Sequence, residues 1–174
     1  MRGAGRSRAL ACAEVISARM LAVGAMPTHL GLMLAADVDA EVKALPHGQM
    51  VVRVLAIGFE SRMNAWARCE AELIGTRAMI AADLFRAERG DWPRDLEELV
   101  PKYLAEVPED PYTGRALRYR RLEQADEFGR GYVLYSAGVD REDDGGTLHE
   151  SGAAIAGRPE GTGSDLVFTA KQRN

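Results

Sequence analysis

The sequence predicts an α+β fold, with a long helix packed on a small three-stranded antiparallel sheet and an extra helical extension before it. Two observations indicate this class. Apolar side chains recur at helical spacing over residues 59–89, and short segments of strand character follow between residues 116 and 170. We therefore divide the chain into a helical extension of unknown role, residues 1–56, and a folded domain, residues 57–174.

The extension is rich in Ala, Leu and Met and is interrupted at Pro27 and at residues 44–49, which predicts two or three helical pieces. Residues 20–36 contain no Asp, Glu, Lys or Arg. The stretch is nevertheless shorter than the ~20 residues of a typical span, and Pro27 lies in its middle. Glu14 and Arg19 interrupt the apolar stretch that a signal peptide needs. We expect neither a membrane span nor a signal peptide.

The long helix is the most regular element, and Gly90 is well placed to end it. Its large apolar side chains form one stripe along the helix, which we expect to pack inward. We also expect both tryptophans, Trp66 and Trp92, to be packing residues. The stripe consists of Met63, Trp66, Leu73, Ile80 and Leu84.

Shorter elements complete the predicted domain. Pro93 favours a short helix, with Leu96, Leu99 and Val100 directed inward. The stretch "VPEDPYTG" then has the composition of turns. The three predicted strands are residues 116–122, 131–136 and 165–170, with a long loop over residues 137–164.

Composition and motifs argue against several function classes. The chain of 174 residues carries 22 basic and 26 acidic side chains, a net charge of -4, and shows no basic patch that would suit a nucleic acid. Cys12 and Cys69 lack metal-ligand spacing and are expected to be buried free thiols. His29, His47 and His149 show no catalytic or zinc spacing, and the sequence has no phosphate-binding glycine motif. We therefore expect no enzymatic activity.

The stretch "GVDREDDGG" places four acids directly after a predicted strand. An EF-hand reading fits Asp140, Glu142 and Asp144 but places Ser151 where the bidentate Glu is required. Two interpretations stay open on composition alone. The acids either point apart into water, or they gather around a cation that offsets their mutual repulsion. Gly145 and Gly146 would supply positive φ angles near these acids.

Three stretches occur in the order found in one protein family. They are "GDWPRDLEEL" at 90–99, "VPEDPYTGRALRY" at 107–119 and "LYSAGVD" at 134–140. Together they resemble the C-terminal domain of the major pseudopilin of the type II secretion system, and the related uncharacterised bacterial pseudopilin-like proteins. The resemblance covers roughly residues 60–170.

The resemblance implies a calcium ion in the loop between the last two strands, bound by aspartates and backbone carbonyls. Asp140 and Asp165 match the family's motif, and Asp143 and Asp144 lie where its loop supplies further acids. The carbonyls of Leu134 and Ser136 are the backbone ligands that it implies. The implied metal site therefore consists of Asp140, Asp143, Asp144, Asp165 and the backbone of Leu134 and Ser136.

The resemblance also implies a non-enzymatic structural role in a bacterial envelope assembly or type II secretion apparatus, with other pseudopilin-like or secretion proteins as partners. The implied location is the cell envelope or periplasm if a leader lies upstream, and otherwise the cytoplasm. Gly58-Phe59 is the only Gly-Phe pair, and the fifth residue from Phe59 is Met63 where the family has Glu. We therefore do not expect pilus formation from this chain as written.

Two other functions remain open. The chain could be a free-standing soluble relative that binds a partner protein through residues 1–56. It could also be a metallohydrolase in which Asp140, Asp143 and Asp144 hold magnesium, although the sequence offers no base or nucleophile beside them.

Overall fold

The computed structural model describes residues 2–46, 49–127, 129–146 and 165–169. The chain divides into two compact units, Met1–Ala67 and Arg68–Asn174. Each unit has its own core, and each is described by itself below.

The first unit is helical. It contains α1 (Arg2–Gly24), α2 (Thr28–Lys43), α3 (Met50–Ala56) and the start of α4 (Phe59–Arg89). Three helices precede residue 57, which agrees with the expected two or three pieces, and none of the described helices is long and apolar enough to cross a membrane.

Helix α4 begins at a buried hydrogen bond. The backbone N–H of Phe59 has no carbonyl partner within the first turn, and it donates to Oδ1 of Asp39 on α2 at 2.8 Å. Asp39 is 5% exposed, so this bond satisfies a buried carboxylate as well as the helix terminus.

The second unit is an α+β domain, which confirms the predicted fold class. Its three strands are β1 (Arg118–Arg121), β2 (Tyr132–Ser136) and β3 (Leu166–Val167), in the spatial order β1-β2-β3. Both pairs are antiparallel, and every residue of the central strand β2 is buried. Residues 147–164 of the predicted long loop, with Ser151 and His149, lie outside the described residues, as does His47.

The predicted helix 59–89 is confirmed. Met63 of the expected inward stripe is buried, but the other four residues of the stripe do not pack inward. Leu73, Ile80 and Leu84 are more than half exposed, and Trp66 is 65% exposed. Small side chains occupy the packed face instead, because they let the sheet approach the helix backbone closely. In the second unit the buried side chains of α4 include Ala78, Ala81, Ala82 and Phe85.

Gly75 shows how closely the layers pack. A Cβ atom at this position would lie 2.5 Å from Cγ of Phe168, so the ring occupies the space that any other residue would need. Gly75 therefore has a packing role in α4, which outweighs the usual cost of glycine in a helix.

The segment after α4 differs from the predicted short helix. Pro93 does not open an α-helix, and only a 3-10 turn forms at Glu97–Leu99. Leu96 and Leu99 are nevertheless buried, as expected. The expected packing role of Trp92 is confirmed, since the centroids of its ring and of the Tyr132 ring are 4.6 Å apart.

The two cysteines are free, as expected, but they are not buried. Cys69 is exposed and Cys12 is intermediate in exposure.

Candidate functional site

A buried carboxylate lies directly before β3, where the loop after β2 ends. Asp165 directly precedes β3 and is 2% exposed. Its Oδ2 accepts a hydrogen bond of 2.8 Å from the backbone N–H of Gly146. Its Oδ1 is buried and has no hydrogen-bond partner among the described residues. A buried carboxylate oxygen without a partner is costly, so this atom marks the point where a cation would be most favourable.

The surroundings of Asp165 disfavour its charged form. Burial raises the pKa of Asp165 to about 6, and the N–H of Gly146 opposes this shift. The charges of Asp144 and Asp143 raise the pKa further, while the backbone N–H of Asp144 lowers it. Asp144 and Asp143 are therefore close enough to Asp165 for their negative charges to repel its carboxylate.

Asp143 is held by both neighbouring strands. The Tyr135 hydroxyl donates to Oδ1 of Asp143 at 2.8 Å, and Nε of Arg118 lies 3.1 Å from Oδ2. Tyr135 and Arg118 are register partners on β2 and β1, so the pairing of the strands fixes this site. The Tyr135 hydrogen bond is the main reason why the pKa of Asp143 is lowered, and the Gly145 N–H contributes as well.

The remaining candidate ligands differ in their surroundings. Asp140 and Asp144 are exposed, and Oδ1 of Asp140 accepts a hydrogen bond from the N–H of Glu142 in a local turn. The carbonyl of Leu134 accepts the Phe168 N–H at 2.9 Å, which leaves one lone pair for a further contact. Among the described residues, no group of three or more His, Cys, Asp or Glu side chains is arranged to hold a metal.

The two glycines of the loop are required where they stand. Gly145 and Gly146 have φ angles of 74° and 68°, which confirms the expected positive φ. A Cβ atom at Gly146 would also lie 2.7 Å from side-chain atoms of Tyr135 and Val133. Only glycine therefore lets the backbone N–H at position 146 reach Asp165.

Asp110 belongs to the same region, although the sequence predicts only turns around this residue. It is 2% exposed, and its Oδ1 accepts hydrogen bonds from the Tyr112 N–H and from the hydroxyl of Ser136. Its Oδ2 accepts the Ala137 N–H at 3.0 Å. Asp110 thereby ties the turn before β1 to the end of β2, directly before the acidic loop begins.

In comparisons with family models, curated proteins and solved structures, nothing matched this chain.

Proposed function

We propose that residues 57–174 are a non-enzymatic, pseudopilin-like structural domain of a bacterial envelope assembly or type II secretion apparatus, and that calcium stabilises this domain. The observation that carries the proposal is the buried Oδ1 atom of Asp165, which has no partner among the described residues. It lies at the position where the resemblance implies a calcium ligand, between the last two strands.

The fold supports the same reading. A long helix, a three-stranded antiparallel sheet and an acidic loop before the last strand follow one another in the order that the resemblance implies. The two buried carboxylates, Asp110 and Asp165, accept hydrogen bonds that connect loops to strand ends, which is a structural role.

The donor atoms suit calcium better than a transition metal. They are carboxylate and carbonyl oxygens, which hard cations prefer. Asp165 fits the ion as it stands, because its Oδ1 is available. Asp143 would exchange the Arg118 contact for the ion, and Asp140 and Asp144 are exposed. Calcium tolerates such an irregular set, whereas magnesium requires near-ideal octahedral geometry.

Calcium supplies positive charge to a loop of like-charged side chains. The ion offsets the cost of burying the Asp165 charge, and the bond between Asp165 and the N–H of Gly146 holds the loop against β3. The expected consequence is a domain whose final strand is fastened firmly enough to serve in an assembly outside the cytoplasm.

Calcium titration by isothermal calorimetry tests the metal part of the proposal. We expect one site in the wild type and at least about tenfold weaker binding in Asp165→Ala, because a charged ligand is removed. Asp37→Ala is the matched control, an exposed aspartate of α2, and should bind as the wild type does. Equal affinity in Asp165→Ala would refute the site.

Deletion of the gene in its native host tests the biological part. We expect reduced export of the proteins that depend on type II secretion, restored by the wild-type gene and less by the Asp165→Ala gene. Unchanged export in the deletion strain would refute a secretion role and leave the calcium site standing.

A free-standing protein-binding module is the second candidate. The exposed apolar side chains of α4 favour it, since Leu73, Ile80 and Leu84 are each more than half exposed. Normal export in the deletion strain, together with a partner bound to this face, would favour that candidate.

A further inference from the structure

Arg118 places a positive charge at the acidic loop. Its Nε atom lies 3.1 Å from Oδ2 of Asp143, one of the carboxylates to which calcium would bind. The chain therefore supplies a cation of its own at this oxygen, from strand β1. A guanidinium and a calcium ion at the same oxygen repel each other, so the two compete for it.

Strand pairing fixes the position of this arginine. Arg118 is the register partner of Tyr135, and Arg120 is the register partner of Val133. Alternate side chains of a strand share one face of the sheet, so both arginines lie on the face that carries Val133 and Tyr135. The loop lies on this face as well, since a Cβ atom at Gly146 would be 2.7 Å from side-chain atoms of both of these residues. The sheet therefore directs Arg118 towards the acids of the loop.

The two oxygens of Asp143 are held in different ways. Oδ1 accepts hydrogen bonds from the Tyr135 hydroxyl at 2.8 Å and from the Gly145 N–H at 3.1 Å. Both of these donors are uncharged, and Oδ2 is the oxygen that Arg118 contacts. Departure of Arg118 would therefore make Oδ2 available to an ion, while the two hydrogen bonds at Oδ1 keep the carboxylate in place.

The contact between Arg118 and Asp143 can be exchanged at little cost. The two side chains are 36% and 45% exposed, so water is available to both when they separate. Ion pairs of such exposure contribute little to stability. The ion pair between Arg130 and Asp126 differs, because the Arg130 side chain is only 8% exposed and would lose its partner in a buried position. Arg118 is therefore suited to leave its carboxylate reversibly.

The charges of Arg118 and of two carboxylates act on one group, the Tyr135 hydroxyl. Burial is the first cause that raises the pKa of this hydroxyl, followed by its hydrogen bond to Asp143 and by the charges of Asp143 and Asp165. Arg118 lowers the same pKa. All three charged groups therefore lie within electrostatic range of this hydroxyl.

We propose that Arg118 is an internal competitor of calcium, which contacts Oδ2 of Asp143 when calcium is absent and is displaced when the ion binds. The inference rests on the proposed calcium site and adds its regulation. Arg118 balances part of the negative charge of the loop where calcium is scarce, and it lowers the affinity of the site because the ion has to replace it. Calcium sites of extracellular modules have dissociation constants of about 10⁻⁴ to 10⁻³ M, and a built-in competitor is one way to reach that range.

Calcium titration of the full chain by isothermal calorimetry tests the proposal. Arg118→Met removes the guanidinium and keeps an unbranched side chain, so we expect at least about tenfold tighter binding than in the wild type. Arg118→Lys keeps the positive charge and should bind within about threefold of the wild type. Arg120→Met is the matched control, because it removes the same charge from the same face of β1, and it should bind within about twofold of the wild type at physiological ionic strength.

The Nε–H resonance of Arg118 provides a second measurement, on the wild type itself. In chelator this resonance should be shifted by the contact with Asp143. Saturating calcium should return it to the position of a guanidinium in water, because the ion displaces the side chain. The Nε–H resonance of Arg120 is the reference and should be the same in both conditions.

The outcomes distinguish the competitor from the calcium site itself. Equal calcium affinity of the wild type and folded Arg118→Met would overturn the competitor and leave the site standing. Equally tight binding by Arg120→Met and Arg118→Met would overturn it too, since a general effect of charge would then suffice. An Arg118 resonance that saturating calcium does not move would exclude displacement. Absence of binding by both the wild type and Arg118→Met would refute the site and the competitor together, whereas binding by Arg118→Met alone would support both.

Discussion

Asp110 and Asp165 are both 2% exposed, and they lie at opposite sides of the end of β2, yet their hydrogen bonding differs. Both oxygens of Asp110 accept hydrogen bonds, from two backbone N–H groups and one hydroxyl. Asp165 accepts one hydrogen bond at Oδ2, and its Oδ1 has none from the described residues. The hydrogen bonds from the chain satisfy both oxygens of Asp110, so its role is structural. The buried Oδ1 of Asp165 lacks such a hydrogen bond from the described residues, so a cation would stabilise this carboxylate.

Asp110→Ala should cause the largest loss of stability. It removes three hydrogen bonds and leaves the Ser136 hydroxyl and the Ala137 N–H buried without this acceptor. We expect a loss of about 3 kcal/mol in the free energy of unfolding, with or without calcium. Urea denaturation followed by circular dichroism measures it. A loss below about 1 kcal/mol would contradict the view that the hydrogen bonds of Asp110 stabilise the fold.

Asp165→Asn should act in the opposite direction when calcium is absent. The substitution keeps an acceptor for the Gly146 N–H and removes a charge that burial disfavours at neutral pH. In chelator at pH 7 we expect the variant to be about 1 kcal/mol more stable than the wild type. Asp110→Asn is the matched control and should be less stable, since its amide group cannot accept all three bonds. An Asp165→Asn variant less stable than the wild type would contradict the proposed difference between Asp165 and Asp110.

The stability of the wild type should depend on pH through Asp165. Its folded-state pKa is raised to about 6 from 3.8, so the folded state binds more protons than the unfolded state between these values. The free energy of unfolding in chelator should therefore fall as the pH rises from about 4 to about 6. Denaturation at several pH values measures this, and the fall should be smaller in Asp165→Asn. Identical profiles would show that Asp165 is not the titrating group.

Tyr135→Phe should have the smallest effect. It removes the hydrogen bond to Asp143, whose side chain is 45% exposed and can turn to water instead. We expect a loss of about 0.5 kcal/mol. The pKa of the Asp143 carboxyl should rise toward its ordinary value, because the Tyr135 hydrogen bond is the main cause of its lowering. Carboxyl NMR titration measures that pKa, and an unchanged value would contradict this assignment.

The sequence predicted the helix 59–89 and the three-stranded sheet, because periodicity, Gly90 and the turn residues are local signals. It did not predict which face of α4 is buried. Alanine is compatible with either face, whereas Leu73, Ile80 and Leu84 have the size and spacing of core residues. The buried face is the one with Ala78 and Ala82, because these small side chains let the sheet pack closely on α4.

The candidate site was predictable only in part. Asp165 was indicated only by the resemblance, whereas the positive φ angles expected for Gly145 and Gly146 are confirmed. Asp110 could not be distinguished from an ordinary turn aspartate, because its partners Ser136 and Ala137 are 26 and 27 residues away. A contact of that range depends on the strand register, which sequence patterns do not specify.

Thermal unfolding in millimolar calcium and then in chelator tests the central claim most directly. Because calcium would bind only the folded domain, a hundredfold excess over its dissociation constant should stabilise the wild type by about 2.7 kcal/mol. The melting temperature should rise by several degrees, magnesium should substitute poorly, and Asp140→Ala/Asp165→Ala should not respond. Equal melting temperatures of the wild type in calcium and in chelator would contradict the account and make the acidic loop a solvated one.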